Sequence, residues 1–342
     1  MDKMKSFNLK KLLLFGGNRR NEDGPLFSLA LTAKKRFEKV IIFTENLHLD
    51  LPTGNGQTFR QKMEDGKKEG LELVVTQEIS PQLLKEYIDE NTVGLLINAL
   101  WIVKQEVIDL FEGKLFNYHN TRLPQERGAA AYSWKILSQS NEGALTVHKV
   151  ISRLDAGDIV KQKKFIFPEK CRIPADYYKY IEKFETSFLL EFLEKGEQVS
   201  IQQDESDSIY MPRLNTLANG YINWDWSSRE IELFVNAFDD PHEGASTFLD
   251  GKKLHLKKCF VSNNSENFHP YQAGIVIRKN EERLFVAVKG ATLEIREIRD
   301  ESGKNCLTQI KLGQRFLTPR HLLEEAKNAK VTHTARGIKI QN

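Results

Sequence analysis

Cysteine is scarce in this chain of 342 residues. Its three cysteines, Cys171, Cys259 and Cys306, are odd in number, far apart and without a C-x-x-C pair. That excludes a disulfide framework and the spacing of a structural zinc site. The eight histidines hold no H-x-x-x-H pair, so no metal is expected. An excess of either charge is also missing: 50 Lys and Arg face 47 Asp and Glu, a formal net of +3. Split at residue 200, the first part carries 30 against 28 and the second 20 against 19. A polyanion is held by clustered Lys and Arg, so neither part reads as a nucleic-acid-binding body. Long apolar runs are absent too. Nothing approaches the ~18 residues of a membrane-spanning helix. The run Leu12 to Phe15 is only strand-length, and lacks the longer stretch and small-residue cleavage site of a secretory signal. It reads as a buried first strand, and the cytoplasm is the expected compartment.

What is present is ordinary globular composition, 40% hydrophobic and 28% charged, at about twice a typical domain length. The first half alternates strand and helix patterns: Lys11 to Phe15, Lys39 to Thr44, Leu71 to Thr76 and Val93 to Ala99 are strand-like. Between them, Pro25 to Arg36, Gln61 to Gly70 and Ser80 to Glu90 carry helical spacing or caps. This predicts an α/β fold with a Rossmann-like open, mostly parallel sheet, with ligands beyond the carboxyl ends of its strands. Near Ser200 the chain turns polar and turn-rich. We place a catalytic domain at 1–199, a linker at 200–220, a small OB-like β-barrel at 221–320 and a tail at 321–342. The barrel rests on short strand patterns separated by Asp250-Gly251 and Lys289-Gly290. Lys252-Lys253 and Lys257-Lys258 read as a solvated strand edge.

The chemistry concentrates between Leu115 and Val160. Asn117 and His119 flank Tyr118 on an extended segment and therefore share a face. Arg127-Gly128 reads as the opening of a helix. Asp155 sits in the turn Leu154-Asp155-Ala156-Gly157-Asp158. An amide, a histidine and a carboxylate gathered at strand ends can polarise a carbonyl and manage a proton. Spacing alone leaves N-x-H open between a structural and a catalytic role. Gly16-Gly17-Asn18-Arg19 after the first strand is no G-x-G-x-x-G fingerprint, which argues against a dinucleotide enzyme.

Two ordered motifs carry a family resemblance. Asn117-Tyr118-His119-Asn120-Thr121-Arg122-Leu123-Pro124, with Arg127-Gly128-Ala129 after it, resembles the N-x-H-x-S/T-x-L-P signature of the N10-formyltetrahydrofolate-dependent formyltransferases. Val147-His148 followed by Leu154 to Asp158 is similar to their V-H/Q…L-D-x-G-D/P turn. The likeness resumes at Tyr221-Ile222-Asn223-Trp224 and at Pro241 to Ala245. Arg122 departs from the common leucine before Leu-Pro, and Asn223 from the aspartate of I-D-W. The resemblance implies Asn117, His119 and Asp155 as catalytic residues. Asn117 and His119 would donate to the oxyanion of a tetrahedral intermediate, or His119 would relay the proton leaving the amine. Asp155 would orient and charge-balance His119. The resemblance also implies N10-formyltetrahydrofolate as co-substrate, lined by Leu100, Trp101, Ile102 and Val103 and by Leu154, Ala156 and Gly157.

Within the family, methionyl-tRNA formyltransferases carry a basic insertion after the second strand. The matching loop, Glu45 to Thr58, has no Lys or Arg. Glycinamide ribonucleotide enzymes lack the second domain. Nucleotide-sugar N-formyltransferases carry a linker similar to Tyr210-Met211-Pro212-Arg213…Asn219-Gly220-Tyr221-Ile222-Asn223-Trp224. The acceptor expected on that resemblance is a nucleotide-linked amino sugar, near Asn18, Arg122 and Arg127, with no nucleic acid and no membrane as partner. Methionyl-tRNA formyltransferase, a formyl-folate hydrolase and a silent folate-binding module stay open as alternative functions, and a homodimer as the assembly.

Overall fold

The structure is a computed structural model and describes residues 9–19, 24–197, 199–262 and 267–341.

The first domain is built on β1 (Lys11–Gly16), β2 (Lys39–Thr44), β3 (Glu72–Val75), β4 (Thr92–Ile97) and β5 (Leu115–His119), all parallel. A two-residue strand β6 (Arg127–Gly128) follows, then β7 (Glu142–Lys149) and β8 (Ile159–Ile166). The main sheet runs β3-β2-β1-β4-β5-β7-β8, and its last two pairings are antiparallel. Strand order reverses at β1 and β4, where an open α/β sheet leaves a crevice beyond its strand ends. The expected Rossmann-like, mostly parallel sheet is therefore present. The apolar run in β1 is explained by two-sided burial: Leu12 and Leu14 face one core, Leu13 and Phe15 the other. Each such side chain stabilises the fold by about 1.5–3 kcal/mol. Helix starts follow their caps. Thr58 and Gln61 form a capping box before Phe59–Lys68, and Ser80 accepts from Leu83 N at 3.3 Å.

Two local expectations are corrected. Arg127-Gly128 does not open a helix; it pairs in parallel with β9 (Tyr210–Met211), and the helix begins at Ala131. Gly128 sits at φ +99°, where a Cβ would lie 2.1 Å from Met211 O, so close backbone approach replaces the helical turn. Residues 201–211, read as the start of a linker, are stitched to the first domain. Ile159 and Ile201 exchange backbone hydrogen bonds of 2.9 and 3.0 Å, and β9 covers β6.

The second domain is a curled antiparallel sheet of β10 (Ala245–Leu249), β11 (Lys252–Ser262), β12 (Val276–Lys279), β13 (Leu284–Val288), β14 (Ala291–Asp300) and β15 (Phe316–Leu317). Its order is β12-β13-β14-β11-β10-β15. Its two edges meet through Val276 N to Gln314 O (2.8 Å) and Phe316 N to Gly274 O (2.9 Å), the closure of a small barrel. Ile231 and Val235 of the helix Ser228–Ala237 are buried, and Trp224 donates to Thr247 Oγ1 at 2.9 Å. Lys257 corrects the solvated-edge reading: it is buried, and its ammonium donates to Asp240 Oδ1 and His242 O.

The tail is a helix, Arg320–Asn328, and a hairpin, β16 (Lys330–Thr334) with β17 (Gly337–Gln341). Asn219 Nδ2 donates to Ala326 O and Ala329 O, holding the helix end against the segment between the domains. The hairpin turn then returns to the first domain. Thr334, Ala335 and Arg336 line a cavity of about 370 Å³ together with Leu100, Trp101 and Ile102.

Candidate active site

Alternation along β5 places Asn117 and His119 on one side of the strand, with Tyr118 buried on the other. The antiparallel register sets Asn117 directly opposite His148 on β7. Their side chains meet, Asn117 Nδ2 lying 3.0 Å from His148 Nε2. His148 Nδ1 faces Lys149 O at 2.9 Å. A carbonyl only accepts, so the proton of neutral His148 sits on Nδ1, and Nε2 accepts from the Asn117 amide. The same logic orients His119. Its Nε2 lies 2.7 Å from Glu126 O, so neutral His119 donates from Nε2 and keeps its lone pair on Nδ1. That nitrogen is 3.9 Å from Asp155 Oδ2.

Asp155 arrives from the β7–β8 turn at φ +51°, the left-handed region that aspartate tolerates better than most residues. It is 8% exposed. Its Oδ2 accepts from Gly128 N at 2.9 Å; its Oδ1 stands 3.5 Å from Asn117 Nδ2 and 3.6 Å from His148 Nε2. Burial alone would push this carboxyl up. His119, His148 and the Gly128 N–H outweigh it and hold the group well below the usual carboxylate range. The site thus keeps a permanent anion beside a histidine that can take up a proton. Asn117 keeps one amide hydrogen on His148, and its other makes only the long contact to Asp155. That hydrogen is the one a developing oxyanion could claim.

The supporting loops are held by their own networks. Glu126 accepts from Lys135 and Arg122 and receives the Arg122 N–H at 3.0 Å, so the carbonyl that orients His119 is fixed. Gln203 Nε2 donates to Asp155 O (2.8 Å) and Gly157 O (2.7 Å), while its Oε1 accepts from Arg127. Gly157 admits no side chain, since a Cβ would lie 1.9 Å from Lys149 O.

The structure brings Asn117, His119 and Asp155 together. It also divides the remaining expected residues. Leu100 and Ala156 are buried, and Trp101 donates from Nε1 to Gln77 O at 3.1 Å. Val103 packs against the core, whereas Ile102 and Leu154 are 86% and 63% exposed on two different loops. Arg122 is taken up by Glu126 and Glu142, and Arg127 by Gln203 and Glu205. Asn18 is buried at the exit of β1, its Oδ1 accepting from Gly24 N and its backbone O from Asn98 Nδ2. Three participants were missed as site residues: His148, Glu126 and Gln203. His148 stood inside a quoted motif. Glu126 acts through a backbone carbonyl and Gln203 from a polar stretch read as linker, and neither role leaves a sequence signal.

Comparison with known proteins agrees with this architecture. Residues 53–193 match the formyl transferase family, and residues 216–311 match the formyl transferase C-terminal domain. The two matches lie in order and take in more than two thirds of the chain. The chain belongs to the formyl transferase family. It is a formyl-transferring enzyme. The methionyl-tRNA formyltransferase of Desulfotalea psychrophila is 29% identical over 206 residues, a match spanning 59% of this chain and 62% of that relative. Among solved structures, WlaRD, a sugar 3N-formyl transferase crystallised with dTDP and 5-N-formyl-THF, superposes with a TM-score of 0.59 at 18% identity. That match covers 85% of this chain and 98% of WlaRD. The N-formyltransferase of Helicobacter canadensis, in complex with folinic acid and dTDP-3-aminofucose, gives 0.60 at 18% identity, covering 84% and 99%. No helix among the described residues is long and apolar enough to cross a membrane.

Proposed function

We propose that this enzyme moves a formyl group from N10-formyltetrahydrofolate to the amine of a nucleotide-linked amino sugar. The observation that carries the reading is the convergence of Asn117, His119 and Asp155, with the free lone pair of His119 beside an ionised carboxylate. His119 Nδ1 accepts the proton that the attacking amine gives up, and Asp155 balances the resulting imidazolium. His119 then returns that proton to the departing folate nitrogen. Asn117 donates to the formyl oxygen as it gains charge. Ile102 and Leu154 supply exposed apolar surface on two loops for the flat folate ring, and Ala156 and Gly157 offer backbone groups to it. Placing an amino sugar as acceptor rests on two supports: the resemblance of the Tyr210 to Trp224 segment, and nucleotide-bound neighbours that this chain spans almost end to end.

A second reading, methionyl-tRNA as acceptor, is favoured by the curated sequence relatives. The loop Glu45 to Thr58 speaks against it, having neither Lys nor Arg to meet phosphates. The test is folate product released from N10-formyltetrahydrofolate with dTDP- or UDP-linked amino sugars, with methionyl-tRNA, or with no amine. Amino-sugar-dependent release is expected. Release only with methionyl-tRNA selects the second reading, and release without any amine makes the enzyme a hydrolase.

A further inference from the structure

Two arginines approach Tyr178 on the helix Pro174–Lys195, and they are treated differently. Arg19 lies over the Tyr178 ring at 4.7 Å, and its guanidinium is taken by Glu185 in a two-point ion pair of 3.0 and 2.5 Å. Arg213 is half-buried beside Tyr178 and Tyr210. Among the described residues no carboxylate and no hydrogen-bond acceptor engages its side chain. Burial pulls this guanidinium below its usual range, and Tyr178 and Tyr210 offset that only in part. A half-buried cation with no counter-charge adds nothing to stability, and a side chain that only filled the space would be apolar.

The place of Arg213 adds to this. It lies two residues past β9, which covers β6, and Gly128 of β6 binds the Asp155 carboxylate. Met211 O accepts from Ala129 N at 2.9 Å and Pro212 O from Trp134 Nε1 at 2.8 Å, so the backbone leading to Arg213 is held firmly. His333 of the returning hairpin lies near Arg213 and near the buried residues Glu45 and His48 at the exit of β2. Arg213 therefore lies close to the ends of β1 and β2, through Tyr178 and His333, on a backbone joined to the β6 strand that meets Asp155.

We propose that Arg213 receives an anionic group of the formyl acceptor, a phosphate if the acceptor is nucleotide-linked. That last clause rests on the function proposed above. A planar guanidinium offers two parallel donors to a phosphate, which suits it to this task better than lysine. Arg122 and Arg127, both held by carboxylates, are poorer candidates.

The test compares the full chain with Arg213→Met and Arg213→Lys. Binding of inorganic pyrophosphate and of dTDP is followed by calorimetry and by Trp134 fluorescence, with folinic acid as a second, independent ligand. Arg213→Met is expected to weaken pyrophosphate and dTDP about ten- to a hundredfold, a range set by charge-assisted hydrogen bonds. Arg213→Lys should fall between. Folinic acid should bind all three proteins equally, and the melting temperature of ligand-free Arg213→Met should equal or exceed that of the parent. Unchanged dTDP and pyrophosphate affinity in Arg213→Met overturns the assignment and leaves the amino-sugar reading standing. No binding of either probe by the parent protein overturns it as well. A lowered melting temperature with loss of folinic acid binding would make Arg213 a structural residue and also overturn it. Pyrophosphate bound through Arg213, with no nucleotide-linked amino sugar formylated, upholds the anion site and rejects the amino-sugar reading.

Discussion

The reaction centre and the crevice beside it are both buried and polar, yet they are finished to different degrees. Around Asp155 the positioning contacts are made, leaving open only the His119 Nδ1 lone pair and one Asn117 hydrogen: Gly128 N–H meets the carboxylate, Glu126 O fixes His119, Lys149 O fixes His148 and Gln203 clamps the turn. At the exit of β2 the accounts stay open. Thr44 Oγ1 is buried without a hydrogen-bond partner among the described residues, and Glu45 Oε1 and His48 Nδ1, 2.8 Å apart, have only each other. Arg213, half-buried nearby, likewise has no hydrogen-bond partner among the described residues. Buried polar groups are normally satisfied, and each exception calls for a reason. Catalytic groups gain from being held in place before substrate arrives, since no reorganisation is then needed during reaction. A binding crevice differs, because groups satisfied internally would have nothing left to offer a ligand. The contrast supports the chemistry proposed for the first region and the recognition proposed for the second.

Breaking the finished region should have the largest effect. His119→Ala and Asp155→Ala are expected to lower kcat by on the order of 10²–10⁴, the usual reach of positioned proton transfer. Asn117→Ala should cost on the order of 10²–10³, the value of one oxyanion donor. All three should keep the parent's circular dichroism spectrum and folinic acid affinity. Near-parental turnover in the Asp155 variant would remove the proposed proton path. Next comes Gln203→Leu, which leaves the carbonyls of Asp155 and Gly157 and the Arg127 guanidinium without their shared partner. A loss of about 1–3 kcal/mol in unfolding free energy is expected, with kcat falling more than the folinic acid affinity. Equal stability would mean that the clamp contributes nothing.

A smaller effect is expected at the hairpin. Burial, with Arg213 and His48 nearby and Glu45 opposing, pulls His333 down to about 4. An unfolded histidine titrates near 6.5. The undocked hairpin therefore binds more protons between these values, and docking is fully supported above about 6.5 and weakens as pH falls toward 4. Because His333 is only partly buried, the change is local and modest. Amide exchange in residues 330–341 should quicken between pH 7.5 and pH 5, and His333→Gln should flatten the dependence. Exchange that is indifferent to pH in the parent would separate hairpin docking from His333. Smallest is the ligand-free stability of Arg213→Met, expected to move upward by a degree or two at most.

Much of this molecule was legible before its fold was seen. The β-branched and leucine-rich runs marked the buried parallel strands, because a strand covered on both faces has no polar side to show. Asn117 and His119 could be placed on one face because strand side chains alternate with a period of two. Gly157 could be named within its turn. The roles of other residues depended on partners far along the chain. Arg122 and Arg127 looked like free cations for a substrate, and their carboxylates at Glu126, Glu142 and Glu205 became visible only when the loops closed. Arg127-Gly128 looked like a helix start, and the strand that claims it lies 83 residues later.

By itself, then, the amino-acid order determined the strands, the caps and the residue types available for chemistry. These depend on local periodicity and on short-range hydrogen bonds. The tertiary structure alone decided which nitrogen of His119 is free, that His148 holds Asn117, that Gln203 braces the Asp155 turn and that Arg213 has no counter-ion among the described residues. Each of these is a matter of pairing and burial between distant segments, and no local pattern encodes them.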